Sequence, residues 1–582
     1  MSGAVRAPAV RRVAILVLLG GCALASAGVA RELSREALAR GAGLAVPVDY
    51  SEFAPPPTAR APRQQLNGRL RLTRKGQNGF RSLVFDPGFF AARHREVHNL
   101  PEFDFEFLQS GSDLIPVRRG AIPSRHPSWE FILEPGRAWD SEEDGGYSRA
   151  SLPFTLEERN ENCMHNGVLS FLYRSDGRIT NAAWQIAGET CRYEKFDAWG
   201  WLAARYTPRV IKGREAIVAA FRREVAARLP VKPIAQLAVD HPGAVPENFG
   251  AAREVSPANM SVYGLVIDGV HYAGGCQTRH GEYPFCEVLD LPSYSLAKSL
   301  VGALGLMRLE LLYPGASRQL VRDYVPECAA DERWSGVSFA NALDMATGLY
   351  ASEVDQADEN DRATDRFFFP SDHAHKIRFA CREYPRRSPA GTHWVYHSSD
   401  TYVLGTALNA FLRKQRGAGA DFYRDLLAEA LWRPLALSPA LMVTRRTYDP
   451  VAQPFTGFGL TLHRDDIVRL AGFLGTGQGR IGGKPMLDPA MLGAALQSVP
   501  ADRGLQASTA EFRYQHGFWA YNLARLLGCR GEVWAPFMSG FGGVQVVLLP
   551  NGTTYYYVSD GDEFHWAAAA AESNHIRRFC GP

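Results

Sequence analysis

Ser295 and Lys298 stand three residues apart in Ser293-Tyr294-Ser295-Leu296-Ala297-Lys298, after the turn-like Asp290-Leu291-Pro292 and at the head of an apolar run that Pro314-Gly315 stops. On a helix such positions share a face, so hydroxyl and amine point the same way, and the hydroxyl feels the positive end of the helix dipole. A serine hydroxyl is a poor nucleophile at neutral pH. A partly desolvated amine loses its proton and takes the one that serine must give up. Spacing alone is a weak signal, because Ser-x-x-Lys also describes an ordinary helix N-cap with a solvated lysine. Two further stretches supply what the pair lacks. Tyr396, in Pro389-Ala390-Gly391-Thr392-His393-Trp394-Val395-Tyr396-His397-Ser398, lies in a loop before a helix that runs through Leu412. Beside an ammonium group its hydroxyl pKa is expected to fall, allowing it to shuttle a proton, although a tyrosine here also fits a core aromatic. Phe537-Met538-Ser539-Gly540-Phe541-Gly542-Gly543 opens a strand. Glycines there let a backbone N–H approach a substrate and complete an oxyanion hole with the N–H of Ser295; the competing reading is a β-bulge.

In this order the three stretches resemble the serine β-lactamase and penicillin-binding-protein superfamily, specifically its class C-like hydrolases, which include esterases and 6-aminohexanoate-dimer hydrolases. Ser295 and Lys298 fit Ser-x-x-Lys, Tyr396-His397-Ser398 fits Tyr-x-Asn/Ser, and Met538-Ser539-Gly540 stands where the family has Lys-Thr-Gly. Similarity extends to Leu343 through Leu349, Leu431 through Leu435 and Gly459 through Leu470, and covers roughly Pro257 to Phe579. The resemblance implies an α+β fold, an antiparallel sheet flanked by helices with a helical subdomain. It implies acyl transfer with Ser295, Lys298 and Tyr396 as catalytic residues and Ser398, Ser539, Gly540 and Phe541 around the substrate and oxyanion. Two departures point toward amides and esters: the third stretch lacks the Lys or His that holds a substrate carboxylate, and Ser398 replaces Asn. The expected function is an exported serine hydrolase cleaving a small amide or ester. The alternatives are a D-Ala-D-Ala peptidase or β-lactamase, or a catalytically silent binding protein on the same fold.

The chain has 582 residues, 46% hydrophobic and 21% charged, with a net charge of +3. That length accommodates two or more globular domains, and the scattered basic residues exclude an electrostatic nucleic-acid surface. No cofactor and no metal is expected. His373 with His375 and His393 with His397 have metal-like spacing but no third ligand at a matching offset. The acidic stretch Glu353 to Asp365 lacks the EF-hand pattern and reads as a solvated loop at the edge of the site.

Arg6, Arg11 and Arg12 precede an apolar run and small residues, the layout of a secretory signal over 1–27. Its apolar stretch is shorter than the roughly 20 residues of a spanning helix. Leu19-Gly20-Gly21-Cys22 resembles a bacterial lipobox and is preferred over the ordinary cleavage site Ala25-Ser26-Ala27; a lipid on Cys22 would be the only membrane contact. The expected location is the bacterial periplasm. Nine cysteines leave eight once Cys22 is lipidated or removed, and sequential pairing gives Cys163–Cys191, Cys276–Cys286, Cys328–Cys381 and Cys529–Cys580.

Residues 28–65, rich in Ala, Pro and Arg, read as a tether with little core. Residues 66–210 read as a separate β-rich domain of open role, with strand candidates at Arg69 to Thr73, Gly167 to Tyr173 and Ile179 to Ile186. A linker helix is expected within 211–235 and the hydrolase domain over 236–582.

Overall fold

The computed structural model describes residues 31–86 and 96–580. The signal segment, Cys22 and both cleavage sites lie outside the described residues. The chain is α+β, with two nine-stranded sheets joined through helices.

The first sheet runs from Gly68–Phe85 to Glu194–Pro208 and closes on itself. Ser148–Glu158 pairs on one edge with Trp129–Leu133 and Gly136–Trp139 and on the other with Met164–Tyr173. Closure removes the free edges of an antiparallel sheet, and about eight strands leave an interior just wide enough for side chains to fill. Leu70, Phe107, Trp129, Phe131, Phe154, Phe171 and Trp184 fill it. Both faces of Ser148–Glu158 are buried. Ala150, Leu152, Phe154 and Leu156 face the interior. Arg149, Ser151, Thr155 and Glu157 are also buried, on the outer face.

The second sheet is antiparallel except at one edge, where Val231–Pro233 runs parallel to Val270–Gly275. Inward from that edge stand Met260–Ile267, Thr554–Ser559, Val544–Leu548 and Trp534–Gly540. The hairpin between Met260–Ile267 and Val270–Gly275 turns at Asp268 and Gly269, both at positive φ, as the Asp-Gly pair dictates. Period-2 alternation splits the sheet between two cores. Leu265, Val547, Tyr555 and Tyr557 pack with Ala569 and Ala570 of the helix Ala567–Ile576. Val262, Val544, Val546, Tyr556 and Val558 pack with Leu300, Leu304 and Met307 of the helix that follows Ser295.

The segment expected to be a tether is anchored. Leu33, Leu38, Val48, Tyr50 and Phe53 are buried in the same core as that helix. Their wide spacing among Ala, Pro and Arg hides them from a compositional reading. The helix Arg214–Ala227 falls within the expected linker. All four disulfides have the sequential pairing, which suits an oxidising compartment. Among the described residues no helix is long and apolar enough to cross a membrane.

Candidate active site

Ser295 sits in a turn, not in the helix. Tyr294 adopts φ 40°, a left-handed conformation costly for a bulky residue, and the backbone widens into a π-turn over Lys298–Ala303 before α-helix resumes at Leu304–Leu312. Tertiary bonds hold this turn. Asn162, from the loop between two barrel strands, accepts from Tyr294 N at 2.9 Å and from Gly459 N at 3.1 Å. The Tyr294 hydroxyl reaches Thr190 O at 3.4 Å and Cys163 Sγ at 3.5 Å. Ser295 is partly exposed while its chain neighbours are buried.

Lys298 is buried, with Nζ 3.0 Å from Ser295 Oγ, 2.8 Å from Ser398 Oγ and 3.4 Å from Gly457 O. Burial lowers its pKa to about 8, opposed by the nearby Glu359 carboxylate. Hydrogen-bond directions fix the rest. Ser398 Oγ donates to Glu359, so it accepts from Lys298. Gly457 O can only accept. Those two bonds use both N–H groups of a neutral amine, and its lone pair is left to face Ser295.

Tyr396 is buried beside them, its hydroxyl hydrogen-bonded to Ser295 and its ring centroid 4.6 Å from Lys298 Nζ. The expectation of a lowered tyrosine pKa does not hold: burial and the Glu359 charge push it up. Tyr396 is therefore a neutral donor rather than a phenolate base. Trp394, Tyr514 and Trp519 pack around it.

Gly540 closes on the nucleophile turn. A Cβ there would lie 2.8 Å from Ser293 O and 3.1 Å from Leu296 Cδ1, so only glycine permits the approach. Phe541 lies in the tight turn between Trp534–Gly540 and Val544–Leu548, not at the start of a strand, and packs edge-on to Tyr294 at 5.5 Å. Ser539 accepts from Gln545 Nε2 at 2.6 Å, forming an uncharged hydroxyl–amide pair.

The reading of Glu353 to Asp365 as a solvated loop missed two carboxylates. Glu359 caps Ser398, accepting from its N at 2.9 Å and from its Oγ. Buried Asp358 accepts from His397 Nε2 at 3.0 Å, while Asp400 lies 3.7 Å from Nδ1 and Tyr384 stacks on the ring at 4.0 Å. Despite burial, the two carboxylates raise the pKa of His397 to about 9. The histidine pairs noted for metal-like spacing are separately engaged: His373 with Tyr402, His375 with Asp372, and Tyr350 packs against His393. An acidic loop followed by the Tyr396 loop was visible in sequence; the fold-back that joins them was not.

No protein-family model matches the chain, and no curated protein matches it. Solved structures do. The chain is similar to a protein described as a 6-aminohexanoate-dimer hydrolase from Bacillus anthracis, at 15% identity and TM-score 0.43, over 60% of this chain and 85% of that one. It is similar to EstCE1, a hydrolase with promiscuous acyltransferase activity, at 14% identity and TM-score 0.41, over 62% and 100%. A class C β-lactamase gives 13% identity and TM-score 0.41, over 60% and 97%.

Proposed function

We propose that the chain is a β-lactamase-related serine hydrolase, acting outside the cytoplasm, that cleaves a small ester or linear amide through an acyl-enzyme on Ser295. One observation carries the reading: Lys298 Nζ lies 3.0 Å from Ser295 Oγ, 2.8 Å from Ser398 Oγ and 3.4 Å from Gly457 O, so that once the amine is neutral its two N–H groups go to Ser398 and Gly457 and its lone pair is left for the Ser295 proton. The Ser295 proton passes to Lys298 Nζ as Oγ bonds to the substrate carbonyl carbon, and the developing oxyanion lies toward the backbone of Ser295 and Phe541. As the tetrahedral carbon collapses, Tyr396 gives its proton to the departing oxygen or nitrogen and regains one from Lys298, which returns to the neutral amine. Water, deprotonated by the same amine, releases the acid and restores Ser295.

The Ser539–Gln545 pair and the aromatic wall of Trp394 and Trp519 favour an uncharged, apolar substrate over a carboxylate-bearing β-lactam. Labelling with a fluorophosphonate tests the nucleophile, and it is expected on the native protein but not on Ser295→Ala. No labelling of folded protein would leave a silent binding protein. Turnover of a chromogenic cephalosporin as efficient as that of short-chain esters would overturn the substrate class.

A further inference from the structure

A second group of reactive side chains lies where the barrel meets the hydrolase domain. Glu134 is on the turn between Trp129–Leu133 and Gly136–Trp139, Asp290 precedes the strand pair Leu291–Pro292 that leads to Ser295, and His463 caps the helix Arg464–Leu474. All three are at most 2% exposed. His463 Nε2 is 3.3 Å from Asp290 Oδ1 and 3.6 Å from Glu134 Oε1. None of these three atoms makes a hydrogen bond. Three converging buried atoms without hydrogen bonds need an explanation, because a buried polar atom costs free energy unless something compensates it.

Other polar atoms of the trio are engaged. Glu134 Oε2 accepts from Arg119. The His463 side chain accepts from the backbone of Asp466, and since Nε2 bonds to nothing, Nδ1 is the acceptor. A ring whose Nδ1 accepts is not an imidazolium, which would donate from both nitrogens. Such a neutral ring carries its one proton on Nε2, facing two carboxylate charges that it does not balance, and a metal ion that displaced this proton would be held by all three atoms. Ligand atoms around a tetrahedral ion with bonds of about 2.1 Å stand about 3.4 Å apart, which matches both separations.

We propose that Glu134, Asp290 and His463 bind one divalent transition-metal ion. One imidazole and two carboxylates form a Zn²⁺-type donor set, and Arg119 orients Glu134 from behind. The ligands stand at 134, 290 and 463, so no short spacing announces them in the sequence. The ion is structural: it ties the barrel to the segment that enters the nucleophile turn.

Full-length protein grown in Zn²⁺-supplemented medium and purified without chelator is expected to carry about one equivalent of Zn²⁺ or another divalent transition metal by elemental analysis. A strong chelator should lower its melting temperature, and Zn²⁺ should restore it. Asp290→Asn and His463→Ala should lose the metal, whereas Glu359→Gln should keep it. Less than about a tenth of an equivalent in the unaltered protein, with no melting response to added Zn²⁺, would overturn the site. That measurement decides even if both ligand variants fail to fold.

Discussion

The chemistry of Lys298 depends on charge balance within a few ångströms. It serves as a base only when neutral, so kcat/KM should rise with pH through about 8, the value to which burial lowers it. Glu359 opposes that shift, and Glu359→Gln should move the limb to lower pH. A pH–rate profile unchanged in this variant would remove Glu359 from the proposed site. Ser295→Ala should lower turnover by several orders of magnitude without changing the circular dichroism spectrum. Ser295, Lys298 and Tyr396 were legible in sequence because each belongs to a short local motif. Glu359 was not, because its function comes from meeting Ser398, 39 residues away, and an acidic loop reads as solvated. The raised pKa of Tyr396 was equally hidden, since only the fold sets its burial and places Glu359 nearby.

The turn before the helix and the loop before Ser398 each put a side chain where its own segment would not. Local spacing predicts one helix from Ser293 to Tyr313; the turn, the left-handed Tyr294 and the π-turn arise because Asn162 holds the backbone from another domain. Asn162→Ala would strand the buried N–H groups of Tyr294 and Gly459, at about 1–3 kcal/mol each. Denaturant melts should register that loss, and the acylation rate should fall with it. In the second segment, His397 binds its proton more tightly folded than unfolded, because its pKa rises from 6.5 to about 9. Its contribution is complete below pH 6.5 and is lost as pH climbs through 9, the window in which the folded state holds more protons. Stability measured across that window should fall for the native chain and more weakly for His397→Gln; identical slopes would refute the assignment.

Across the whole molecule, strand alternation in the second sheet was readable because its two faces meet two apolar cores. The barrel was harder to read. The outward residues of Ser148–Glu158 look solvated but are buried against the rest of the chain, where Arg445 bonds Glu130 at 2.6 Å and Glu157 at 2.7 Å. Removing one partner of such a buried pair is costly, so Arg445→Ala should lose roughly 3–5 kcal/mol. With this interface and a core that includes Leu33 to Phe53, calorimetry should show one unfolding transition rather than two.

The bond from Asn162 to Tyr294 also sets an order in time. A chain is synthesised from its N-terminus, and the barrel ends at Pro208, well before Ser295 emerges from the ribosome. If the barrel folds as it emerges, the nucleophile turn forms against a wall that is already standing. If the two halves are made as separate polypeptides, hydrolase activity should appear only when the barrel half is present and folded first.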